Sequence, residues 1–572
     1  MRYKVDLSSE PHALFLNPWQ EEGLKLLEQP EFFWRETPAA IIEGFAVSAH
    51  AEINDKIRSF VNTTQRHKRF ASAVEVNTVP VVLEHASFRK SHVMVGEKLV
   101  LSGASATRLI NTFRWENEDA LTDAVTELNA YLSACRLANA GCTIAVEKTF
   151  IEPDLDFAVE CRNTFNFFHF ITESLSQLCV LDRVGFQGNI YFHFPNQEEK
   201  QRSFADGFVA ALFPEYTGRV FFQRAPKDYD LVLTSHDWMH CIGQLPEQEL
   251  NGLRRIAPKG VRVGRVEAQP VLEMNAVSSA VLALRARALR AIEGRDPSHL
   301  PKRIFVGRSA DQARLRPLGG EALLRRHLMR FGFEYVVFEE MDPLDQIALM
   351  ANAEIMISQH GAGFTNMMFA APDAYVIEVG TLQTAQFRWA DFWPLAHASG
   401  CRYINFFADF NSDTPLSEPR FGIDGIVAPD LSDRAVAQIM AFVVTVLGHI
   451  PTMPDPRALA VLGRRVLRAG AAVQAIELLE RHTAMVTPDV ALCLLHADCH
   501  KALDEPKSEL LKLEQAFKAD PSRWQTLIRM IWCANRCERP QVIRWALSRL
   551  EADFPDRHDA FVSNHDWVRY VA

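Results

Sequence analysis

One short segment combines a histidine with two glycines in an order that suits phosphate binding. It reads Ile357-Ser358-Gln359-His360-Gly361-Ala362-Gly363-Phe364-Thr365-Asn366, which is an apolar strand, a tight turn and the start of a helix. Small residues let a backbone approach a ligand closely, and the first N–H groups of a helix attract anions at the positive end of its dipole. The segment predicts a seat for a pyrophosphate, although a purely structural strand-to-helix turn has the same pattern.

The segment is neither of the two common nucleotide-binding loops. Asn366 stands where the dinucleotide fingerprint has its third glycine, and no Gly-Lys-Ser/Thr follows as in a Walker loop. The sequence therefore argues against an NAD or ATP site, and we expect no cofactor.

Charged residues follow or end the neighbouring predicted strands. Arg308 comes after the strand at 302–307, Arg314 and Arg316 follow it, and Glu378 lies in the strand at 375–380. Guanidinium groups clamp phosphates bidentately, and a carboxylate in the same cleft suits ribose hydroxyls. Each residue alone is more often a surface charge or part of a structural ion pair, so the hypothesis depends on the set.

These segments together resemble glycosyltransferase family 61. The run from 303 to 380 carries His-Gly-Ala-Gly-Phe-Thr-Asn and Val-Ile-Glu-Val, and 163–173 is similar to the family's asparagine-aromatic-aromatic-histidine motif. Residues 392–396 and Tyr403 are similar to the segment that follows the His-Gly-Ala-Gly loop in that family. One departure stands after Arg316, where the family usually has Asn-Glu and this chain has Gly320-Glu321.

The resemblance implies an α/β, GT-B-like pair of Rossmann-like domains facing a cleft, with the acceptor side first and the nucleotide-sugar side second. It also implies an inverting, metal-independent enzyme that uses a nucleotide-sugar donor, mostly a UDP-sugar, and a glycan acceptor. The residues that we expect to bind the donor are Asn166, Arg308, Arg316, His360, Gly361, Ala362, Gly363, Thr365, Asn366 and Glu378.

An inverting transfer needs a base that takes the proton of the acceptor hydroxyl. Asn166, His169 and Glu173 are spaced i, i+3 and i+7, which places them on one face of a helix. An imidazole with a pKa near 6.5 can act as a base near neutral pH. We predict that His169 or Glu173 is the catalytic residue; the alternative for His169 is a core position among phenylalanines.

The sequence offers no convincing metal site. His236-x-x-x-His240-Cys241 has helical ligand spacing but lacks further ligands, and no Asp-x-Asp follows a strand of the catalytic region. Without a cation, arginines and helix N–H groups must stabilise the leaving diphosphate.

The order of elements predicts how these residues are positioned. Strands alternate with helices in 141–298 and in 299–450; in the first of these parts we predict strands at 143–145, 157–159, 189–194, 219–223 and 230–234 and a helix at 164–181. This alternation indicates βαβ units whose parallel sheets bind ligands at the carboxyl ends of their strands. Residues 1–140 are an accessory region. Residues 455–572 form an all-α domain of helical pairs, opened by Asp455-Pro456, Thr487-Pro488 and Asp520-Pro521, with the period of roughly 34 residues typical of tetratricopeptide repeats.

Composition limits the remaining possibilities. The chain has 572 residues and a formal charge of −10, without the basic surplus of a nucleic-acid-binding protein. Its start shows no secretory signal and no run is long enough to span a membrane, so we expect a cytoplasmic enzyme of surface polysaccharide synthesis. The repeats would bind a protein partner or a second copy. The rival hypothesis is a catalytically silent scaffold that acts through its repeats, and Gly320 is its support.

Overall fold

A computed structural model of the chain describes residues 14–34, 41–68, 73–89, 92–103, 121–147, 154–161, 166–193, 203–265, 269–308, 316–410, 424–447, 460, 463–464, 466–468, 470–483 and 489–571. These residues form a mixed α/β part followed by a C-terminal helical region. The chain divides into two compact units. The first is drawn from Met1–Ala46, His50–Leu318 and Met329–Pro429, and the second from Val47–Ala49, Gly319–Leu328 and Asp430–Ala572.

The strands are numbered in chain order: β1 Leu24–Leu26, β2 Phe32–Trp34, β3 Ile41–Ala46, β4 Val74–Val76, β5 Val79–Arg89, β6 His92–Val95, β7 Lys98–Leu99, β8 Phe157–Glu160, β9 Ile190–His193, β10 Val220–Gln223, β11 Lys227–His236, β12 Ala276–Ser278, β13 Arg303–Val306, β14 Glu334–Val336, β15 Ile355–Gln359, β16 Tyr375–Thr381, β17 Arg402–Phe410 and β18 Pro429–Asp430. The helices of the α/β part are Ala51–Lys68, Leu121–Ala138, Ser203–Leu212, Glu247–Arg254, Gln269–Asn275, Ser279–Ala291, Glu321–Met329, Pro343–Asn352, Leu382–Phe387, Trp393–Ser399 and Asp433–Leu447.

The first large sheet has the order β10-β9-β8-β11-β5-β6-β7, and β1 also pairs with β5. Strands β8, β9, β10 and β11 pair in parallel with one another. Strand β5 pairs antiparallel with β11, and β1, β6 and β7 extend the sheet through further antiparallel pairs. The strands that the sequence predicted at 189–194, 219–223 and 230–234 are confirmed as β9, β10 and β11. Segment 143–145, predicted as a strand, forms none, and only a single bridge joins Leu26 to Val146.

The second large sheet carries the glycine-containing loop. Its order is β14-β13-β15-β16-β17-β18, and β3 pairs in parallel with β17. Strands β13 to β17 are parallel, and β15 is buried along its whole length. Continuous apolar strands of this kind are typical of parallel sheets that are covered on both faces. A third, small sheet contains β12, β4 and β2.

The N-terminal residues take part in both large sheets. Strand β5 lies beside β11 in the first sheet, and β3 lies beside β17 in the second. The division at 140 and 298 that the sequence suggested stays a prediction, since both sheets belong to one compact unit.

The helix predicted at 164–181 changes type along its length. A short α-helical turn, Phe167–His169, continues as a π-helix, Phe170–Ser174, and then as a 3₁₀-helix, Leu175–Arg183. A π-helical turn is rare and is frequently found at functional sites. It begins here directly after His169.

The C-terminal unit contains a series of helices of similar length. They are Ala472–Thr483, Val490–Ala502, Pro506–Ala519, Trp524–Arg536, Pro540–Asp553 and Pro555–Asn564. The inward faces of the last five form one apolar core that includes Leu513, Leu527 and Leu550. This helical region is consistent with helical repeats.

Two of the predicted helix starts in this region lie outside the described residues, and the third is wrong. Asp520 accepts hydrogen bonds from Ser522 in a turn, and the helix begins only at Trp524. Proline does occupy the first helical position, but in the helices that begin at Pro506, Pro540 and Pro555. No helix in the described part of the chain is long and apolar enough to cross a membrane.

Candidate active site

The glycine-containing loop lies at the carboxyl ends of the second sheet's strands. Strand β15 ends at Gln359, and the following loop leads into a 3₁₀-helix, Ala362–Phe369, rather than the α-helix that the sequence suggested. Arg308 follows the adjacent strand β13 and reaches the same loop. Open parallel sheets bind ligands at this edge.

The loop presents unpaired amide groups. A 3₁₀-helix leaves its first N–H groups without partners inside the helix. Within the part of the chain that the structure describes, nothing accepts a hydrogen bond from the amides of Gly361, Ala362 or Gly363, and all three residues are partly exposed. These donors can therefore bind an anion from solvent.

Gly361 leaves space that a guanidinium group occupies. A Cβ atom built on Gly361 would lie 2.5 Å from Nη2 of Arg308. The backbone of Gly361 is extended, with φ of 171°, so conformational freedom is not the reason for glycine here. At Gly363 a Cβ atom would meet Phe338 at 3.6 Å, an ordinary contact. Of the two glycines, only Gly361 lies where an added methyl group would displace the Arg308 guanidinium.

Arg308 is a cation held in place by the loop itself. Its Nη2 donates a hydrogen bond to the carbonyl oxygen of His360 at 2.6 Å. Burial, together with repulsion from nearby Arg316, lowers the pKa of Arg308. The Glu339 carboxylate partly offsets this lowering, but among the described residues it forms no ion pair with Arg308. Arg316 also supports the loop, because its carbonyl oxygen accepts a hydrogen bond from Gln359 at 2.9 Å. Arg314 lies outside the described residues.

His360 is fixed by a buried carboxylate. Its Nδ1 lies 2.7 Å from Oε1 of Glu378, and the hydroxyl of Tyr403 donates to the other oxygen of that carboxylate. Glu378 is fully buried, whereas His360 is 8% exposed. Burial and the Glu378 carboxylate raise the pKa of Tyr403, so its hydroxyl keeps its proton. Glu378 thus orients the imidazole, and neither of its oxygens faces solvent.

The last two residues predicted in the loop point into the protein. Thr365 and Asn366 are fully buried, and the Thr365 hydroxyl donates to the carbonyl oxygen of Ala362 at 2.7 Å. The Asn366 amide reaches Gln346 at 3.4 Å, while its oxygen has no hydrogen-bond partner among the described residues. As placed, both residues stabilise the short helix from within.

The predicted base candidates form a pair. Nδ1 of His169 lies 2.8 Å from Oε1 of Glu173, and each side chain is a little over a fifth exposed. Asn166 caps the helical turn, because its side-chain oxygen accepts a hydrogen bond from the backbone N–H of His169 at 3.4 Å. The pair therefore begins a helix whose start is fixed by Asn166.

Aromatic rings connect this pair to the glycine-containing loop. The ring of Phe168 lies 5.5 Å from that of Phe392, and Phe392 lies 5.5 Å from the imidazole of His360. Phe168 precedes His169 directly, so the structure brings the two histidine segments of the sequence to one place. Their 190-odd intervening residues gave no sign of this contact, which depends on how the two sheets pack within the first unit.

Two acidic residues of this region were not predicted from the sequence. Asp391 accepts a hydrogen bond from Arg388 at 3.2 Å; burial raises the pKa of its carboxyl, and Arg388 and His360 partly offset that rise. Asp237 lies after β11 and holds His240 at 3.0 Å. The spacing i, i+3 of Arg388 with Asp391 and of Asp237 with His240 was a local signal for both pairs.

The histidines with metal-ligand spacing are engaged with other groups. His236 is buried beside the Cys241 thiol, with 3.8 Å between Nε2 and Sγ, and His240 bonds to Asp237. In the ranges that the structure describes, no three His, Cys, Asp or Glu side chains are grouped so that they could hold a metal ion.

Gly320 has a structural reason. Its φ is +75°, and a Cβ atom there would collide with the carbonyl oxygen of Leu431. Asparagine, the usual family residue, tolerates a positive φ but would not fit this space. The departure from the family pattern is therefore explained by the backbone.

Comparison with known proteins agrees with the resemblance seen in the sequence. Residues 167–377 match the family described as Glycosyltransferase 61, a span that begins beside the His169–Glu173 pair and ends within β16. No curated protein matches the chain. Two solved structures, described as crystal structures of MamA and of MamA protein, match 21% of this chain with 13% identity and a TM-score of 0.18, and cover 68% and 63% of their own chains. A TM-score of 0.18 indicates no shared overall fold. The match of residues 167–377 to the glycosyltransferase 61 family supports a glycosyltransferase.

Proposed function

We propose that this glycosyltransferase transfers a sugar from a UDP-sugar to a hydroxyl group of a glycan, with inversion at the anomeric carbon and without a metal ion. The observation that carries the proposal is the cluster of positive groups at the carboxyl ends of β13 and β15. Three unpaired amides, Arg308 and Arg316 converge there.

The donor diphosphate would bind to this cluster. Arg308 lacks a carboxylate partner among the described residues, so a phosphate would supply the missing charge. The amides of Gly361, Ala362 and Gly363 would contact the same group, as helix N-termini do in other phosphate sites. His360 would line the diphosphate site and hold the loop in place, because Glu378 engages its Nδ1 and Tyr403 engages Glu378. Glu378 then acts through His360, and Thr365 and Asn366 shape the loop.

The transfer would be a single in-line displacement. The acceptor oxygen attacks the anomeric carbon, the bond from that carbon to the phosphate oxygen breaks, and UDP leaves. His169 would take the acceptor proton on Nε2, since Glu173 engages Nδ1 and fixes the tautomer. Arg308, Arg316 and the loop amides would stabilise the charge that develops on the diphosphate, which is the role of preorganised donors in a low-dielectric site.

The arrangement of sheets supports a GT-B-like assignment of roles. The sheet with β8 to β11 carries the proposed base and would take the acceptor, and the sheet with β13 to β17 would take the nucleotide-sugar. The proposed setting is cytoplasmic synthesis of surface polysaccharide, with the C-terminal repeats binding a protein partner or a second copy. The alternative is a catalytically silent scaffold that acts through its repeats; Gly320, the sequence feature that favoured it, also has a backbone reason.

Calorimetric titration with UDP in EDTA tests the proposal. We expect wild type to bind UDP and Arg308→Gln to bind it at least about tenfold more weakly, because one charge-assisted contact contributes about 1.5–3 kcal/mol. Arg295→Gln is the matched control, since that arginine is exposed in an ion pair with Asp345. Incubation with a panel of UDP-sugars and mass spectrometry of the products then identifies the donor. No binding of any nucleoside diphosphate, or binding that requires a divalent cation, would contradict the proposal.

A further inference from the structure

A second histidine–carboxylate pair lies on the acceptor-side sheet. Strands β8 and β11 are parallel neighbours, so their carboxyl ends lie at the same edge. The chain after β8 leads to His169 and Glu173, and the chain after β11 leads directly to Asp237 and His240. The hydroxyl of Ser235, at the end of β11, donates to Gln177 in the helical segment that follows Glu173, which joins the two segments.

Asp237 holds His240 in one orientation. One carboxylate oxygen of Asp237 accepts from the backbone N–H of Met239 at 2.9 Å and lies 3.0 Å from Nδ1 of His240. Asp237 is 7% exposed, so this contact is shielded from water. The ring is therefore fixed with Nε2 directed away from Asp237. Among the residues that the structure describes, Nε2 of His240 has no hydrogen-bond partner, and a fifth of the side chain is exposed.

The surroundings of His240 favour its charged form. Burial lowers its pKa, but the carboxylates of Asp237, Glu273 and Glu173 outweigh burial and raise the pKa to about 9. The neighbouring His236 shows the opposite result, since burial lowers its pKa to about 4 despite the Asp237 charge. At neutral pH, His240 is an imidazolium whose free N–H points outward, and His236 is neutral.

The charge balance indicates the kind of group that His240 can bind. One cation faces three carboxylates, from Asp237, Glu273 on the helix Gln269–Asn275 and Glu173. Asp237 already supplies the ring with an anionic partner at 3.0 Å, so the ring needs no second anion. A hydroxyl group fits, because it can accept from the imidazolium and at the same time donate to a carboxylate. Sugars present such hydroxyl groups, and proteins recognise sugars through hydrogen bonds to them.

We propose that His240, oriented by Asp237, binds a hydroxyl group of the glycan acceptor and so positions it for proton removal. The inference rests on the proposed function, in which this sheet takes the acceptor. His240 is a binding residue, distinct from the base: His169 removes the proton, and His240 decides which acceptor is held next to it.

The experiment combines histidine NMR with binding of neutral glycans. Protein labelled with ¹³C at histidine Cε1 is titrated with a panel of xylo-, cello-, malto- and chito-oligosaccharides, and the His240 signal is assigned by its loss in His240→Gln. We expect a panel member to shift the His240 signal, and His240→Gln to weaken its binding about tenfold without changing the affinity for UDP. Asp237→Asn should weaken binding too, since it frees the ring.

The controls separate this inference from the proposed function. His299→Gln, in an exposed segment of the first unit, should leave glycan affinity unchanged. Failure of UDP to bind contradicts the proposed function and is measured independently of His240. If no oligosaccharide shifts the His240 signal, or if a glycan binds His240→Gln and wild type equally, the inference is wrong. Circular dichroism of each variant confirms that it has folded, and Asp237→Asn keeps the question testable if His240→Gln does not fold.

Discussion

Gly361 and Arg308 depend on each other at the scale of single residues. The Arg308 guanidinium lies in the space that a side chain at position 361 would need, and it donates to the carbonyl next to that glycine. A methyl group at 361 would displace a flexible side chain rather than the backbone. The structural cost is therefore small, and the cost to ligand binding is large.

We expect Gly361→Ala to weaken UDP binding about ten- to hundredfold, because Arg308 loses its position. Its free energy of unfolding should change by less than about 1 kcal/mol. Gly363→Ala is the matched control, since its new methyl group would only contact Phe338. Titration calorimetry and urea unfolding of both variants measure the two effects. Equal UDP affinity in the two variants would show that Arg308 does not contact the diphosphate.

His240 links the acceptor side of the site to pH. Its pKa in the folded protein, about 9, lies above the value near 6.5 expected in the unfolded chain. The imidazolium therefore stabilises the folded state fully below pH 6.5, and this stabilisation disappears as pH rises through about 9. Urea unfolding at pH 6, 7.5 and 9.5 should show wild type losing stability relative to His240→Gln across this interval. A difference that does not change with pH would show that His240 is neutral throughout.

At the scale of elements, the helix Glu321–Met329 lies between two glycines with the same backbone angle. Gly320 and Gly332 both have φ of +75°, but a side chain at 320 would collide with Leu431, whereas at 332 the nearest atom is 3.7 Å away. The two positions thus separate the cost of a left-handed backbone from the cost of crowding.

Gly320→Asn, which restores the usual family residue, should destabilise the protein by more than about 2 kcal/mol, because overpacking adds to the left-handed conformation. Gly332→Asn should cost less than about 1 kcal/mol, since asparagine tolerates that conformation. Thermal and urea unfolding of both variants provide the comparison. A stable Gly320→Asn variant with tighter UDP binding would instead indicate that the missing asparagine belongs to the donor site.

The elements also show what could be predicted from the sequence. Strands β13, β15 and β16 follow from continuous apolar runs bounded by turns, and the glycine-containing loop follows from its motif. The π-helical turn after His169 and the 3₁₀-helix after Gly361 could not be predicted, because helix type depends on packing that periodicity does not report. The burial of Glu378 beneath His360 and Tyr403 was also hidden, since Tyr403 lies a strand away and only the sheet register places it there.

At the scale of the whole molecule, the C-terminal helices belong to the second compact unit and have their own apolar core. Leu527 is fully buried in that core. We expect Leu527→Ala to lower the stability of this unit by about 2–5 kcal/mol, through lost burial and the cavity left behind. Thermal unfolding measured by calorimetry should show two transitions. Leu527→Ala should lower the temperature of the transition of the C-terminal helices, and saturating UDP should raise that of the other transition.

Exposed Leu511→Ala in the same helices is the control and should shift neither transition by more than a degree or two. A single transition that both UDP and Leu527→Ala move together would mean that the two units unfold as one.

The pairing of β3 with β17 has a consequence for how the chain is synthesised. Strand β3 emerges from the ribosome early, and its partner β17 emerges only after nearly all of the first unit has been made. Until then the nascent chain has an unsatisfied strand, which is a site for aggregation and a reason for slow folding. A fragment limited to residues 167–377 would lack β3, β5 and β17, so it would expose sheet edges and require either a chaperone or the missing flanks to stay in solution.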